Sequence, residues 1–333
     1  MDKKVKLTYI QQSGSNPPVG DGGDQYTGLD RFGRIIDQRW IKASSGADLE
    51  RVKYGYSEAS NRVWRQNTVA EGLSANQDEY YTYDGLYQIK TLQRGTLTGT
   101  PPSGISGTPT WEEDWNYDAT GNWHGSSSAY LTKVSGTPTL NQNRTHNEVN
   151  EITNITESTG TAWPTPGHDA AGNLTSVPQP LSLGNGYTLT WDAWNRLMTV
   201  KAGSTTVATY AYDGATRRVS KNDGTNTRHY YYSDQWQVLE ERLGSTTADR
   251  QYVWGILSID DLILRDNGST RKYALKDAMG SVTAVVNTSG TVQERYGYSG
   301  FGIPRYMTAS FGSRTSSSYD WETLFDGYRY DTD

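Results

Sequence analysis

A short pattern that returns about every 20 to 23 residues constrains this chain more than any other feature. It consists of an aromatic residue, Asp, two variable residues, Gly or Asn, a polar residue and an apolar one, as in residues 117–123, YDATGNW. From position 147 to 233 its second residue recurs after 22, 23, 21 and 20 residues, and it returns at 277 and 299. Self-similarity at a fixed period of this length indicates a repeat architecture.

The residue types of the pattern predict a β-hairpin turn. Asp accepts hydrogen bonds from backbone N–H groups two residues on, and Gly or Asn takes the positive φ of a tight turn. The aromatic residue that precedes them packs against a neighbouring strand. The predicted turn residues are Asp30, Gly33, Asp84, Asp118, Gly121, Asp169, Gly172, Asp192, Asp213, Asp277 and Gly280.

The composition agrees with many short strands and few helices. Aliphatic residues are sparse, which alone would suggest disorder, but the chain has 24 Tyr and 11 Trp, which disordered chains lack. Tyr, Trp and Thr favour strands, and Gly and Pro interrupt any helical spacing. We therefore predict an all-β protein in which successive hairpins join into one antiparallel sheet.

Repeat spacing divides the chain into three sections. Residues 1–140 have longer steps of 54, 34 and 29 residues, which predict longer loops, and residues 141–310 have the regular period. Residues 311–333 form a short final section. Residues 5–10 alternate in polarity like a strand that continues a sheet.

Composition and spacing argue against several functions. The net charge of −6 disfavours nucleic-acid binding, and the absence of Cys excludes disulfides and cysteine-based zinc sites. We predict no membrane span, signal peptide, cofactor, metal site or catalytic set, and assign Glu112–Asp114 and Asp260–Asp261 to solvated loops. If the chain has activity, Asp260 and Asp261 are the first residues to test.

Several tryptophans allow a second interpretation. Tyr and Trp on an exposed strand face form flat platforms that stack on sugar rings. The candidate glycan-stacking residues are Trp111, Trp115, Trp123, Trp163 and Trp194. Because aliphatic residues are scarce, we expect most of these rings to build the core instead.

The repeat resembles the YD repeat of RHS proteins, insecticidal toxin-complex subunits and teneurins. Residues 273–290 (YALKDAMGSVTAVVNTSG), 296–302 (YGYSGFG) and 325–331 (FDGYRYD) resemble the last part of an RHS core. The resemblance implies a spiralling antiparallel β-sheet, solenoid-like, that forms a hollow shell around a C-terminal toxic domain. It also implies a self-cleavage site at the end of the core, which we expect to lie beyond this sequence. With so few repeats, we expect an open or partial shell.

Two functions remain open at this point. One is the shell portion of an RHS-type toxin or toxin-complex protein that encloses or delivers a C-terminal cargo, without enzymatic activity of its own. The other is a cell-surface or extracellular protein that binds glycans or assembles into a fibre. In both cases we expect a secreted or cell-surface location. The expected partners are the rest of a longer parent chain or copies of itself, joined through sheet edges.

Overall fold

The computed structural model describes residues 3–8, 24–256 and 258–331, and nearly all of their regular secondary structure is antiparallel β-strand. They divide into two compact units. One contains the residues up to Thr110 together with those from Arg250 onward, and the other contains residues 111–249. The predicted all-β antiparallel class is confirmed, but the described strands form three sheets and not the single sheet that the repeat pattern predicts. The sections 1–140, 141–310 and 311–333 describe repeat length and stay a prediction.

The first unit begins with strands that pair in chain order, from β1 to β7. Residues 5–8 of the predicted N-terminal strand lie in β1, and residues 9 and 10 lie outside the described ranges. Strands β8 and β9 form a separate hairpin. The bounds are β1 (Lys3–Thr8), β2 (Asp24–Leu29), β3 (Ile35–Ile41), β4 (Asp48–Tyr56), β5 (Arg62–Asn67), β6 (Asp78–Tyr83), β7 (Ile89–Gly95), β8 (Leu97–Thr98) and β9 (Gly104–Ile105).

A single α-helical turn interrupts this run. Helix α1 (Thr68–Gly72) follows β5, and the side chain of Asn67 caps it by accepting a 3.0 Å hydrogen bond from the Ala70 N–H. Asn is a preferred N-cap residue because its side-chain oxygen satisfies an N–H group that has no partner within the helix. Among the described residues, no helix is long and apolar enough to cross a membrane.

The second unit contains two runs of strands that again pair in chain order, β10–β13 and β14–β21. The first run has β10 (Trp111–Trp115), β11 (Tyr130–Val134), β12 (Thr137–His146) and β13 (Ile152–Thr159). The second run has β14 (Gly167–His168), β15 (Leu174–Gln179), β16 (Ser182–Trp191), β17 (Leu197–Ala202), β18 (Thr205–Tyr212), β19 (Arg218–Asn222), β20 (Thr227–Tyr232) and β21 (Val238–Leu243).

The chain completes the first unit with a third run, β22–β28, and a short 3₁₀ helix. Their bounds are β22 (Arg250–Trp254), β23 (Leu262–Asn267), β24 (Thr270–Lys276), β25 (Val282–Asn287), β26 (Val292–Tyr298), β27 (Pro304–Thr308), β28 (Ser313–Arg314) and the 3₁₀ helix Phe325–Gly327.

The core of the first unit lies between its early and late strands. Trp40 and Leu49 pack with residues of β23, β24 and β25, including Leu275, which is fully buried. The indole N–H of Trp40 donates a 2.8 Å hydrogen bond to the carbonyl oxygen of Lys276, and the Gln38 side chain donates to the same oxygen at 3.0 Å. These contacts fix β3 against β24.

Aromatic rings fill much of both interiors, as the scarcity of aliphatic residues predicts. The largest fully buried side chains include Trp40, Trp115 and Trp321. In the second unit, Tyr210 packs with Val200 and Ala208 across strands β17 and β18. A ring buries a large apolar area with few rotatable bonds, so short strands with few Leu and Ile still form a core.

Candidate functional site: the hairpin turns and the tryptophan faces

One backbone turn recurs throughout both units. The N–H of its first residue donates to the carbonyl oxygen four residues on, and the N–H of its fourth residue donates back to the first. The fourth residue has positive φ. At most of these turns, though not at Ser299 and Thr308, the adjoining ladder also shifts register, as in a type I turn followed by a β-bulge. In the described ranges, thirteen turns have this form, and their first residues are Asp30, Ser57, Asp84, Asp118, Asn147, Asp169, Asp192, Asp213, Ser233, Asp277, Asn287, Ser299 and Thr308.

The first side chain of the turn caps it as the sequence predicts. Asp169 Oδ1 accepts hydrogen bonds from the N–H groups of Ala171 and Asn173, both at 2.9 Å, and Oδ2 accepts one from the Asn173 side chain at 3.0 Å. These bonds, the Asn173 side chain first, hold the pKa of Asp169 below its usual value. The carboxylate therefore stays ionised as a structural cap.

The side chain of the fifth residue of the turn connects one turn to the next. Arg34 binds Asp30 Oδ2 at 2.7 Å, and its Nη1 lies 3.3 Å from the carbonyl oxygen of Ser57 in the following turn. The same guanidinium lies 4.7 Å from the centre of the Tyr56 ring. Arg196 and Arg217 of the second unit make the same three contacts. Each pairs with the Asp of its own turn, donates to a carbonyl oxygen of the following turn and lies over the Tyr ring before that turn.

The aromatic residue before the turn has a polar function as well as an apolar one. The Tyr212 hydroxyl donates a 2.8 Å hydrogen bond to the carbonyl oxygen of Leu197, which follows the preceding turn. Trp191 makes the equivalent bond to Leu174 through its indole N–H at 2.6 Å. Tyrosines at four other turns donate in the same way, Tyr56, Tyr83, Tyr232 and Tyr298.

These contacts explain the repeat as a means of cross-linking neighbouring hairpins. Asp shapes its own turn, while the aromatic residue and the Arg or Asn tie it to the adjacent one. Asn173 and Asn195, for example, join two turns through a 2.9 Å hydrogen bond. The arrangement stabilises an edge of the sheet.

The turn at Ser57 corrects one expectation. The 54-residue step between Asp30 and Asp84 was predicted to contain long loops, but it consists of two repeats with Ser57 midway. The segment at Trp254 and Gly255, midway between the turns at Ser233 and Asp277, has a different form. There the Gly255 N–H bonds to the Asp261 carbonyl oxygen, which is a wider loop than that of the thirteen turns.

The turn geometry gives a prediction for Gly172, which has a φ of 81°. Val is β-branched and disfavours positive φ, so we expect Gly172→Val to lower the free energy of unfolding by more than about 1 kcal/mol. Asp169→Ala, which removes the cap of the same turn, is expected to lower the melting temperature. Gly214→Val is the matched control, because Gly214 has no positive φ and its Cβ would meet open space. Equal melting of wild type and both turn variants would contradict the assignment.

The candidate tryptophans occupy different environments. Trp115 is only 1% exposed and stacks on Tyr130 at 5.9 Å, which leaves no ring face for a sugar. Trp123 is half-buried, contacts Tyr130 at 4.9 Å, and has the Arg144 guanidinium 4.3 Å from its ring. Both rings therefore pack inside the second unit.

The remaining three tryptophans differ in their exposure. Trp111 and Trp163 are half-buried. Trp194, at the tip of the turn that begins at Asp192, is 73% exposed, and the guanidinium of Arg196 lies 5.2 Å from its ring. Of the five candidates, Trp194 has the ring that a ligand could best reach.

Two acidic segments differ from the solvated loops expected of them. Residues 112–114 lie in strand β10, where Glu113 is 1% exposed and accepts a hydrogen bond from the Tyr130 hydroxyl. Lys133 forms ion pairs with Glu112 and Asp114 from the opposite side of the strand.

Asp260 and Asp261 do precede a strand, but Asp261 is buried. It forms an ion pair with Lys276, which is also buried. Burial, followed by the nearby Asp326 carboxylate, raises the pKa of Asp260. Sequence reasoning missed the pairing because Asp261 lies just before β23 and Lys276 ends β24, 15 residues further along the chain. Within the described ranges, no group of three or more His, Asp or Glu side chains is arranged to hold a metal ion, and the absence of a metal site stays a prediction.

The fold is similar to part of solved toxin complexes. The Photorhabdus luminescens Tc holotoxin pore matches 93% of this chain with a TM-score of 0.63 at 17% identity, over 16% of its own chain. The TcdB2-TccC3 crystal structure matches with a TM-score of 0.62 at 18% identity, also over 93% of this chain and 16% of its own. At this identity the likeness establishes a common fold, that of the toxin-complex β-sheet.

Sequence relatives give a second comparison. The tRNA3(Ser)-specific nuclease WapA of Bacillus spizizenii is 28% identical over 221 residues, and the tRNA nuclease WapA of Bacillus subtilis is 25% identical over 229 residues. Each match covers 66% of this chain and 8% of the relative, so the chain spans less than a tenth of the relatives' length. No family model matches the chain.

Proposed function

We propose that this chain is a section of the wall of an RHS-type toxin shell, within a longer protein that encloses or delivers a C-terminal cargo. The likeness to Tc toxin structures over 93% of the chain is the observation that carries the proposal. The cross-linked turns support it, because they give neighbouring hairpins a fixed spacing along each sheet. A rigid wall is what an enclosing function requires.

Protease protection of the full-length gene product tests this function. We would engineer one protease site in the segment after residue 333 and, as the control, another at Leu181, which lies between β15 and β16 and is 84% exposed. The enclosed site should resist cleavage until urea unfolds the wall, while the Leu181 site should be cut at once. Equal cleavage of the two sites in the native protein would overturn the proposal.

We also propose that the chain itself is not an enzyme. Its relatives are named as tRNA nucleases, but the match covers 8% of their length, and the turn residues here serve as caps. We therefore expect residues 1–333 to leave tRNA intact during prolonged incubation. Cleavage that persists in a pure sample and is abolished by Asp260→Asn or Asp261→Asn would refute this.

Sheet edges determine the partners that we propose. Strand β13 pairs with β12, and within the described ranges no strand covers its other side. An edge strand exposes N–H and C=O groups that recruit further strands. We propose that the rest of the parent chain, or copies of this one, cover such edges, at a secreted or cell-surface location. Residues 1–333 alone should therefore associate as concentration rises, as measured by light scattering. A stable monomer at high concentration would contradict this.

The exposed Trp194 supports a second candidate function, glycan binding. Its ring is 73% exposed on a turn tip, beside the hydrogen-bonding guanidinium of Arg196. Under this alternative, a glycan array would give binding that Trp194→Ala abolishes and Trp115→Phe, which changes a buried ring, does not. If the protein binds no glycan on the array, glycan binding is excluded as its function.

A further inference from the structure

The first unit contains a cavity that the toxin-shell function does not use. Its volume is about 220 Å³, and strands β5 and β6 line one side of it. The turn at Asp277, the end of β26 and Phe325 line the other side. All of these elements belong to the same unit.

Two arginines of β5, Arg62 and Arg65, line the cavity without an ion-pair partner. Among the described residues, no carboxylate oxygen lies within 4.0 Å of either guanidinium. Arg62 Nη1 is buried and has no hydrogen-bond partner, although the guanidinium lies 5.0 Å from the centre of the Tyr81 ring. Arginines elsewhere in this unit do pair with carboxylates, as Arg94 does with Glu79 at 2.8 Å.

The carboxylates of the cavity do not balance these two cations. Glu79 already accepts hydrogen bonds from Arg94 and the Tyr81 hydroxyl. Asp277 uses Oδ1 to cap its own turn, accepting from the N–H groups of Met279 and Ser281. Two guanidinium groups thus face one remaining carboxylate, an excess of one positive charge. A partly buried charge without a counter-ion is costly, and the excess favours binding of an anion.

The remaining lining determines what kind of anion fits. Guanidinium groups prefer the planar oxygens of carboxylate or phosphate, which they bind through paired N–H donors. The other walls are mainly aromatic or aliphatic, with Tyr83, Tyr298 and Phe325 beside Ile89 and Leu92, and two serines, Ser281 and Ser299, also line the cavity. Such walls suit an apolar body, and the volume exceeds the roughly 150 Å³ of a cavity that holds benzene.

We propose that this cavity binds a carboxylate carried by a small aromatic or aliphatic body, with Arg62 and Arg65 holding the carboxylate and the aromatic walls holding the body. The carboxylate can belong to a free metabolite or to the C-terminus of a peptide. Binding does not depend on the shell function, so each proposal can fail without the other.

Titration calorimetry on residues 1–333 tests the site with 3-phenylpropionate as the probe and 3-phenylpropanol as its uncharged counterpart. We expect saturable binding of the carboxylate and at least tenfold weaker binding of the alcohol. Arg65→Gln should weaken binding of 3-phenylpropionate at least tenfold. Arg31→Gln, which changes an exposed arginine outside the cavity, should leave binding unchanged.

Asp277→Asn keeps the proposal testable if Arg65→Gln does not fold. It retains an oxygen that can cap the turn but removes the competing negative charge, so 3-phenylpropionate should bind more tightly to this variant. An N-acetyl peptide ending in Phe is the second probe, and tighter binding of the peptide than of 3-phenylpropionate would identify a polypeptide ligand. No saturable binding of either probe to the wild type would overturn the proposal, as would equal affinity of wild type, Arg65→Gln and Asp277→Asn.

Discussion

Glu50→Ala is expected to lower the free energy of unfolding of the first unit by about 3–5 kcal/mol, the range for removing one partner of a buried ion pair. Glu50 is 2% exposed and Arg295 is 3% exposed. The two side chains pair directly, and Glu50 also accepts a 2.7 Å hydrogen bond from Asn67. The substitution leaves the Arg295 guanidinium buried without a counter-ion, which is the main reason for the size of the effect.

Urea unfolding followed by tryptophan fluorescence measures this loss. Asp48→Ala is the control, since it lies in the same strand and breaks the 2.8 Å pair with Arg39, whose side chain is 35% exposed. Exposed pairs contribute about 0–1 kcal/mol. If the two variants unfold at the same urea concentration, Glu50 does not join β4 to β26 as described.

Lowering the pH is expected to destabilise the first unit by protonating Glu79. Burial alone would raise the pKa of Glu79, but the guanidinium of Arg94 at 2.8 Å, and then that of Arg65, outweigh it and lower the pKa to about 2. A pKa that is lower in the folded state than in the unfolded state stabilises the fold above the unfolded value, near 4.5, and the effect is lost as the pH falls toward 2. The stabilisation at neutral pH is about 3 kcal/mol.

The difference in unfolding free energy between wild type and Glu79→Gln, measured by urea unfolding from pH 7 to pH 2.5, isolates this effect. It should be largest at pH 7 and shrink below pH 4.5. The adjacent residue, Asp78, should have the opposite effect on how the free energy of unfolding changes with pH. Burial raises its pKa to about 6, so its protonated form stabilises the fold at low pH and the effect is lost as the pH rises through 6. A constant difference for Glu79→Gln across the range would contradict the assignment.

The local structure that could be predicted from this sequence is the structure that the residues of one turn determine among themselves. The Asp and Gly positions of the repeat are visible because their chemistry acts within five residues, as at Asp169 and Gly172. The turn at Ser57 was missed because Ser replaces Asp and Ser60 takes the positive φ that Gly or Asn usually takes. Tyr87 and Thr216 take the same conformation, so the backbone of this turn tolerates residues that the pattern does not include.

Contacts between distant repeats could not be predicted. Glu50 and Arg295 are 245 residues apart, and neither belongs to the turn pattern. Arg62 and Arg65 look like ordinary strand residues, and their significance depends on Asp277 lying across a cavity from them. The repeat specifies how each hairpin joins the next along the chain, whereas the packing of early against late strands is specified by residues that vary between repeats.

An electron cryo-microscopy structure of the full-length gene product is the most direct test of the proposed shell wall. We predict that the sheets of residues 24–331 form part of a β-sheet wall around a hollow interior, with the segment after residue 333 inside it. An open sheet with that segment outside in solvent, or a fibre of sheets joined edge to edge, would contradict the proposal.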